Sequence, residues 1–165
     1  MLTSATLILL PALLAFLVLL GIRTRSGTEA ALPSNAILVD GSNVMHWGGD
    51  PSSLVLQRVL QDVKDKGYDP IVFFDANVGY QLGDRYFDEA MMAQIAGVPQ
   101  QHVCVVGKGV VADESILMFA TDYDLRVVTN DRYRDWRVRF PIAAKKGALV
   151  GGTWREGSVV WRGAL

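Results

Sequence analysis

The chain has 165 residues, which is room for one ordinary domain and little else. Its formal net charge is −1, so no overall basic field attracts nucleic acid and any such attraction must be local. The single cysteine, Cys104, excludes an internal disulfide and fits a reducing compartment.

An uncharged apolar run from Leu2 to Ile22 opens the chain. As a helix this run would be about 31 Å long, close to the thickness of a bilayer's hydrocarbon core. No Lys or Arg precedes it, whereas Arg23 and Arg25 follow, so a retained anchor is favoured over a cleaved signal peptide. The positive-inside rule then predicts a single-pass membrane protein with a cytoplasmic C-terminal domain. We assign 1–22 to the transmembrane anchor, 23–34 to a linker and 35–165 to the folded domain.

Strand and helix patterns alternate along the folded domain. Asp50 is predicted to cap the first helix, and Glu156-Gly157 is predicted to turn a strand pair within 149–161. The predicted strands are 36–39, 70–74, 103–106 and 125–129, and the predicted helices are 51–66, 84–96, 112–122 and a short one at 133–140. This alternation predicts an α/β fold with a mostly parallel sheet covered on both faces.

Acidic side chains follow the strands or begin a helix. Asp40 ends the first strand, Asp113 and Glu114 start the third helix, and Asp131 and Asp135 follow the fourth strand. Because the carboxyl ends of parallel strands converge where open α/β sheets bind ligands, we expect these acids to share one crevice. Carboxylates gathered there repel one another unless a cation lies among them, which suggests Mg²⁺ or Mn²⁺. Each acid also has a structural interpretation, as a turn cap, a helix-dipole partner or a solvated loop charge.

A local basic patch begins inside the last acidic phrase. Its members are Arg132, Arg134, Arg137, Arg139, Lys145 and Lys146. Arg132 and Arg134 are predicted to hold phosphate oxygens. Tyr133 and Trp136 lie within the patch, and both stacking on an unpaired base and packing in the core stay open for them.

Three phrases carry a resemblance to a known family: Val-Asp40-Gly-Ser-Asn43-Val, Ala-Asp113-Glu114 and Thr-Asn130-Asp131-Arg-Tyr-Arg-Asp135. Together they resemble the NYN branch of the PIN-like nucleases, in particular the Zc3h12a-type (Regnase-like) ribonuclease domain. The resemblance covers about residues 35–161. It implies a Rossmann-like α/β/α three-layer sandwich and Mg²⁺-dependent cleavage of RNA.

The resemblance also implies roles for individual residues. Asp40, Asp113, Asp131 and Asp135 would be catalytic. The metal ligands would be Asp40, Asp113, Glu114 and Asp131. The family's motif asparagine falls on Asn43, which is predicted to contact substrate together with Arg132 and Arg134 of the basic patch. Glu114 departs from the family pattern, which has Asp there. One Cys and two His cannot build the zinc finger that accompanies eukaryotic relatives.

Two further polar residues lie near these phrases. His46 follows the first phrase and is either structural or a substrate contact, and Asp75 ends the second strand on the same rim as a supporting acid.

The sequence thus predicts a membrane-anchored, metal-dependent endoribonuclease acting on single-stranded RNA. The alternative is a catalytically inactive, membrane-tethered RNA-binding or scaffold domain. A phosphatase using Asp40 is disfavoured because no second Asp follows two residues later. Homo-oligomer formation stays open.

Overall fold

A computed structural model describes residues 32–165 of the chain. The predicted anchor, 1–22, and most of the predicted linker lie outside the described residues. Five strands form a fully parallel sheet in the order β3-β2-β1-β4-β5. They are β1 (Ala36–Asp40), β2 (Asp69–Phe74), β3 (Val103–Val105), β4 (Val127–Val128) and β5 (Leu149–Val150). The predicted parallel α/β fold is therefore confirmed.

Five α-helices connect or flank these strands: α1 (Gly41–Val44), α2 (Ser53–Asp65), α3 (Val78–Leu82), α4 (Glu89–Ala96) and α5 (Ala112–Tyr123). Short 3₁₀ helices occur at Gln100–His102, Arg134–Trp136 and Pro141–Ala144. An antiparallel hairpin of β6 (Gly152–Arg155) and β7 (Ser158–Trp161) completes the described fold. Glu156 and Gly157 turn this hairpin with positive φ of 50° and 80°, as the sequence predicts.

Both faces of the sheet are covered, because side chains that alternate along a strand pack on different layers. On one face, Ile37 and Val39 of β1 join a buried cluster with Leu56 of α2. On the other, Phe73 of β2 packs edge-on against Phe119 of α5, with ring centroids 5.7 Å apart. All five residues of β1 are buried, as expected for a central strand between two layers.

Three local predictions are wrong. The helix predicted at 84–96 begins only at Glu89, because the Asp88 side chain caps it by accepting from the Met91 N–H at 2.9 Å. Asp50 does not cap α2; the Ser52 hydroxyl accepts from the Val55 N–H instead. No α-helix spans 133–140, where a left-handed residue at 133 leads into a single 3₁₀ turn.

Gly41 fixes how the chain leaves β1. A Cβ at this position would lie 2.2 Å from the Phe74 ring, so only glycine lets α1 start so close to β2.

Within residues 32–165, no helix combines the length and the apolar character needed to cross a bilayer. The transmembrane prediction for 1–22 stays a prediction.

Candidate active site

The strand order places a ligand crevice between β1 and β4. From β1 the chain builds the sheet outward through β2 and β3, whereas β4 and β5 lie on the other side of β1. Such a reversal leaves a crevice outside the carboxyl ends of the two strands at the switch. Asp40 is the last residue of β1, and Thr129 to Asp131 follow β4 directly.

An open cleft of about 360 Å³ lies at this point. It is lined by Asp40, Ser42, Asn43, His46, Asp75, Gln81, Asp113 and Asp131. Four carboxylates from four separate chain segments therefore face one space. A larger hollow of about 570 Å³ lies at the opposite edge of the sheet, beside Arg126 and Lys145, and contains none of these four acids. The chemistry points to the smaller, acidic cleft.

Asp40 is the most buried acid of the cleft, with 6% of its surface exposed. Its Oδ1 accepts from the Asn43 backbone N–H, and its Oδ2 accepts from the hydroxyls of Thr129 and Tyr133, each at 3.0 Å. Burial raises the pKa of Asp40 to about 6, although these three donors work in the opposite direction. The carboxylate is therefore ionised at neutral pH at a free-energy cost that a neighbouring cation would offset.

Other acids of the cleft affect the pKa of Asp113, which lies in the first turn of α5. Burial is the main cause that raises its pKa, followed by the negative charges of Asp131 and Asp75. A hydrogen bond from the Trp136 indole opposes this rise. Asp131 and Asp75 are thus close enough to disfavour the charged form of Asp113, an effect that a cation in the cleft would offset.

The Asn43 side chain links two other chain segments through hydrogen bonds. Its Oδ1 accepts from the Asn130 backbone N–H at 2.9 Å and from the Trp47 indole N–H at 3.0 Å. Thr129 continues this scaffold, because its hydroxyl oxygen accepts from the Asp131 N–H at 3.0 Å. Asn43 therefore positions the loop that carries Asp131, while the substrate contact predicted for it stays a prediction.

The donor set fits a hard divalent cation. Within residues 32–165, no three His, Cys, Asp or Glu side chains are close enough to enclose an ion by themselves. Mg²⁺ needs no such cage, since it keeps several waters and is held by one or two carboxylates plus a substrate phosphate. Asp40, Asp113 and Asp131 offer oxygen ligands of this kind around one cleft.

Two predicted acids do not line the cleft. The Glu114 carboxylate forms an ion pair with Arg139 at 2.5 Å. Asp135 lies on the exposed 3₁₀ turn Arg134–Trp136. The structure thus brings together Asp40, Asp113 and Asp131 but leaves these two beside the site, so their metal-binding and catalytic roles stay predictions.

The basic patch divides into paired and unpaired members. Arg139 and Lys145 pair with Glu114 and Asp124. Arg132, Arg134 and Arg137 are exposed and form no ion pair within residues 32–165. These three guanidinium groups therefore have no competing intramolecular charge partner in that part of the chain.

Tyr133 cannot stack on a base. Only 2% of its surface is exposed, its ring packs against Leu117 and Phe140, and its hydroxyl donates to Asp40. Burial, and next the Asp40 charge, raise the pKa of Tyr133, so the hydroxyl keeps its proton. The stacking alternative for this residue is wrong. Trp136 is partly buried against Phe140, with ring centroids 6.0 Å apart.

The sequence predicts too small a role for Asp75 and does not point to Ser42 or Gln81 as cleft residues. Asp75, expected only as a supporting acid, lines the cleft directly. The Ser42 hydroxyl oxygen accepts from the Asp75 N–H at 2.9 Å, and its position between Asp40 and Asn43 was an available signal. Gln81 has no local sequence signal, because its contact with His46 spans 35 residues.

Comparisons with known proteins support the fold. Two solved structures of nuclear protein-only RNase P 2 (PRORP2) from Arabidopsis thaliana resemble the chain. One has a TM-score of 0.59 and 16% identity, over 92% of this chain and 35% of that one. The other has a TM-score of 0.60 and 17% identity, over 78% of this chain and 29% of that one. The chain thus spans about a third of their length, and the likeness shows the shared fold.

No curated protein matches the sequence. The sequence model of the Zc3h12a-like ribonuclease NYN domain, however, matches residues 33–159, which include the whole acidic cleft and nearly all of the described fold. The chain belongs to the Zc3h12a-like ribonuclease NYN domain family.

Proposed function

We propose that this protein is a metal-dependent endoribonuclease that hydrolyses RNA phosphodiester bonds in the acidic cleft. One observation carries the proposal: the buried Asp40 shares a crevice at the switch point with Asp75, Asp113 and Asp131. Repelling carboxylates cost stability, and a cation-dependent reaction explains why four of them meet there. Membership of a ribonuclease family supports RNA as the substrate.

Asp40, Asp113 and Asp131 would hold Mg²⁺, with Mn²⁺ as a substitute, and Glu114 would join them only if it left Arg139. The bound ion would neutralise charge on the phosphate and lower the pKa of a water. Asp113 would either complete the metal shell or accept the proton of the attacking water as general base. Asp40 accepts three hydrogen bonds, which hold its carboxylate in place and leave one acceptor site of an ionised carboxylate for the ion.

The phosphate backbone would be held beside Asp131. Arg132 follows that acid directly and Arg134 is two residues further, both exposed and without an ion pair within residues 32–165. Guanidinium groups bind phosphate oxygens through two parallel hydrogen bonds, so they fix the register of the strand without reading its bases.

The test is cleavage of single-stranded RNA by the chain with Mg²⁺, with EDTA, and after Asp40→Asn or Asp131→Asn. Asp122→Asn is the matched control, since Asp122 is exposed on α5 and does not line the cleft. We expect cleavage only with metal, and a loss of at least about a hundredfold in both cleft variants. Cleavage in EDTA, or full activity in both variants, would refute the proposal. RNA binding without any cleavage would instead support the inactive RNA-binding domain.

We also propose that residues 1–22 anchor the domain in a membrane with residues 35–165 in the cytoplasm. The uncharged run and the following Arg23 and Arg25 support this. Alkaline extraction of membranes that contain the full chain tests the anchor, and protease protection tests its orientation. Release of the full chain by alkali would contradict the proposed anchor.

A further inference from the structure

One wall of the cleft carries no carboxylate. His46, in the turn after α1, and Gln81, on α3, both line the cleft and meet there, with Nε2 and Oε1 3.3 Å apart. The other ring nitrogen of His46, Nδ1, lies 3.3 Å from the Gly49 carbonyl oxygen. The Gln81 amide nitrogen donates to Asn77 Oδ1 at 3.2 Å, which ties this wall to the start of α3.

The partners of His46 determine what this wall can bind. A backbone carbonyl only accepts, so Nδ1 meets an acceptor at Gly49. Because the Gln81 nitrogen points to Asn77, its oxygen faces Nε2, so this ring nitrogen also meets an acceptor. A neutral imidazole carries one N–H and donates to only one of these two acceptors at a time, whereas the second N–H of the Gln81 amide has no partner within residues 32–165 and is available opposite acids that accept. Ribose and phosphate oxygens are acceptors that suit such a wall.

Tyr80 extends this wall beyond the cleft. At 61% it has the most exposed aromatic side chain in residues 32–165, and it directly precedes Gln81. Val78 and Gly79 form the buried side of α3, so the Tyr80 ring points to solvent, about 100° around the helix from the Gln81 side chain. The exposed Tyr80 ring, one residue from the cleft-lining Gln81, is placed to contact the part of a bound ligand that extends out of the cleft.

The platform under Tyr80 is closely packed. A Cβ at Gly79 would lie 2.3 Å from the Arg85 carbonyl oxygen and 2.5 Å from the Phe87 backbone nitrogen. The segment after α3 therefore folds back directly onto the helix. The backbone that carries Tyr80 is consequently held in place, so less backbone entropy is lost when a base stacks on the ring.

We propose that His46, Gln81 and Tyr80 form the nucleotide-binding wall of the cleft. His46 and Gln81 hydrogen-bond to the ribose-phosphate of one nucleotide, and Tyr80 stacks on an unpaired base beside it. The inference rests on the proposed function for RNA as the ligand, and not on cleavage. A paired base keeps its faces within the helical stack, so the substrate must be single-stranded at this position.

The two histidines of the chain allow a direct test. His46 lines the cleft, whereas His102 ends the 3₁₀ turn before β3, at the other edge of the sheet. A short unstructured RNA is added to the full chain in detergent micelles, with Mg²⁺ and Asp131→Asn to block cleavage, and both imidazole signals are followed by NMR. We expect the His46 ring protons to shift on saturation and those of His102 to stay in place. Bound RNA that leaves His46 unmoved would overturn the proposal.

Substitutions supply a second readout, the dissociation constant of the RNA. In the same background, Tyr80→Ala should weaken binding of the unstructured RNA about tenfold and Tyr80→Trp should restore it, because stacking needs only a ring face. Tyr123→Ala is the matched control, since Tyr123 is 50% exposed but lies at the far end of α5 from Asp113. His46→Asn should weaken binding and His102→Asn should not. Equal loss in cleft and control variants, or no loss at Tyr80, would refute the assignment.

The two proposals fail in different ways. If the unsubstituted chain binds RNA through His46 and Tyr80 but never cleaves it, the nuclease proposal falls and the nucleotide-binding wall stands. If the chain cleaves RNA while Tyr80→Ala and His46→Asn bind it normally, the nuclease stands and the wall falls. A blunt-ended RNA duplex should bind equally to the Tyr80→Ala variant and its parent, and a clear difference would contradict base stacking.

Discussion

Replacing Asp40 by Asn should stabilise the metal-free protein at neutral pH while it abolishes cleavage. The carboxylate is 6% exposed, and burial raises its pKa from 3.8 to about 6. Because the folded-state pKa lies above the unfolded one, the stability that protonation contributes is fully present below about pH 4 and is lost as pH rises through about 6. An Asn at this position carries no charge at any pH.

The size of the effect follows from the same pKa. A rise from 3.8 to about 6 corresponds to about 3 kcal/mol, at about 1.4 kcal/mol per pKa unit. Asn fits the surroundings, since its oxygen can accept from the Asn43 N–H while the hydroxyls of Thr129 and Tyr133 rotate to accept from its amide nitrogen. We therefore expect a gain of up to about 3 kcal/mol at pH 8 and almost none at pH 4.

Urea unfolding of residues 33–165 at several pH values, in EDTA, measures this difference. These residues form one compact unit, so they are a suitable fragment. Asp122→Asn is the control, because Asp122 is exposed on α5 and does not line the cleft. A stability change in Asp40→Asn that is the same at pH 4 and pH 8, or a loss at both, would refute the reasoning.

Three further predictions concern the scaffold of the cleft. Tyr133→Phe removes one donor to the buried carboxylate, so its pKa should rise and the acidic limb of the pH–activity profile should move upward by about one pH unit. Asn43→Ala leaves the Asn130 N–H without its acceptor, so we expect about 1–3 kcal/mol of destabilisation in urea unfolding and lower kcat. Gly41→Ala forces a methyl group onto the Phe74 ring and should cost about 1–3 kcal/mol in the same assay.

Each of these predictions has a defined contrary outcome. For Tyr133→Phe, an acidic limb that stays in place or moves downward would show that the hydroxyl does not stabilise the ionised form. For Asn43→Ala, unchanged stability and kcat would mean that the amide does not position the Asp131 loop. Gly163→Ala is the control for Gly41→Ala, since a Cβ at Gly163 meets nothing within 4 Å. Equal effects at both glycines would contradict the steric argument.

The sheet and the central acids were predictable from the sequence for a physical reason. A buried strand that ends in Asp, repeated along an α/β pattern, must deliver its acids to one edge, because every strand of a parallel sheet ends on the same side. Asp40 and Asp131 therefore converge although 91 positions separate them in the chain. Asp75 comes directly after β2 and follows the same rule, which predicts it in the cleft itself and not only as a supporting acid.

The directions of individual side chains were less predictable. Asp113 and Glu114 are consecutive in α5, and neighbouring helical residues point about 100° apart, so one facing the cleft turns the other toward Arg139. The left-handed backbone at Tyr133 was equally hidden, since its φ of 46° is unusual for a bulky residue. This turn buries the tyrosine and ends the periodicity that suggested a helix.

The β6–β7 hairpin has a consequence for defining the smallest working fragment. The Asn130 side chain donates to the Gly152 carbonyl and accepts from the Gly152 N–H, and a Cβ at Gly152 would lie 2.4 Å from the Trp47 ring. A truncation after Val150 would keep all five parallel strands yet remove the brace of the loop that presents Asp131. A protein truncated to the parallel sheet should therefore fold but have impaired activity. A working fragment should extend beyond Trp161.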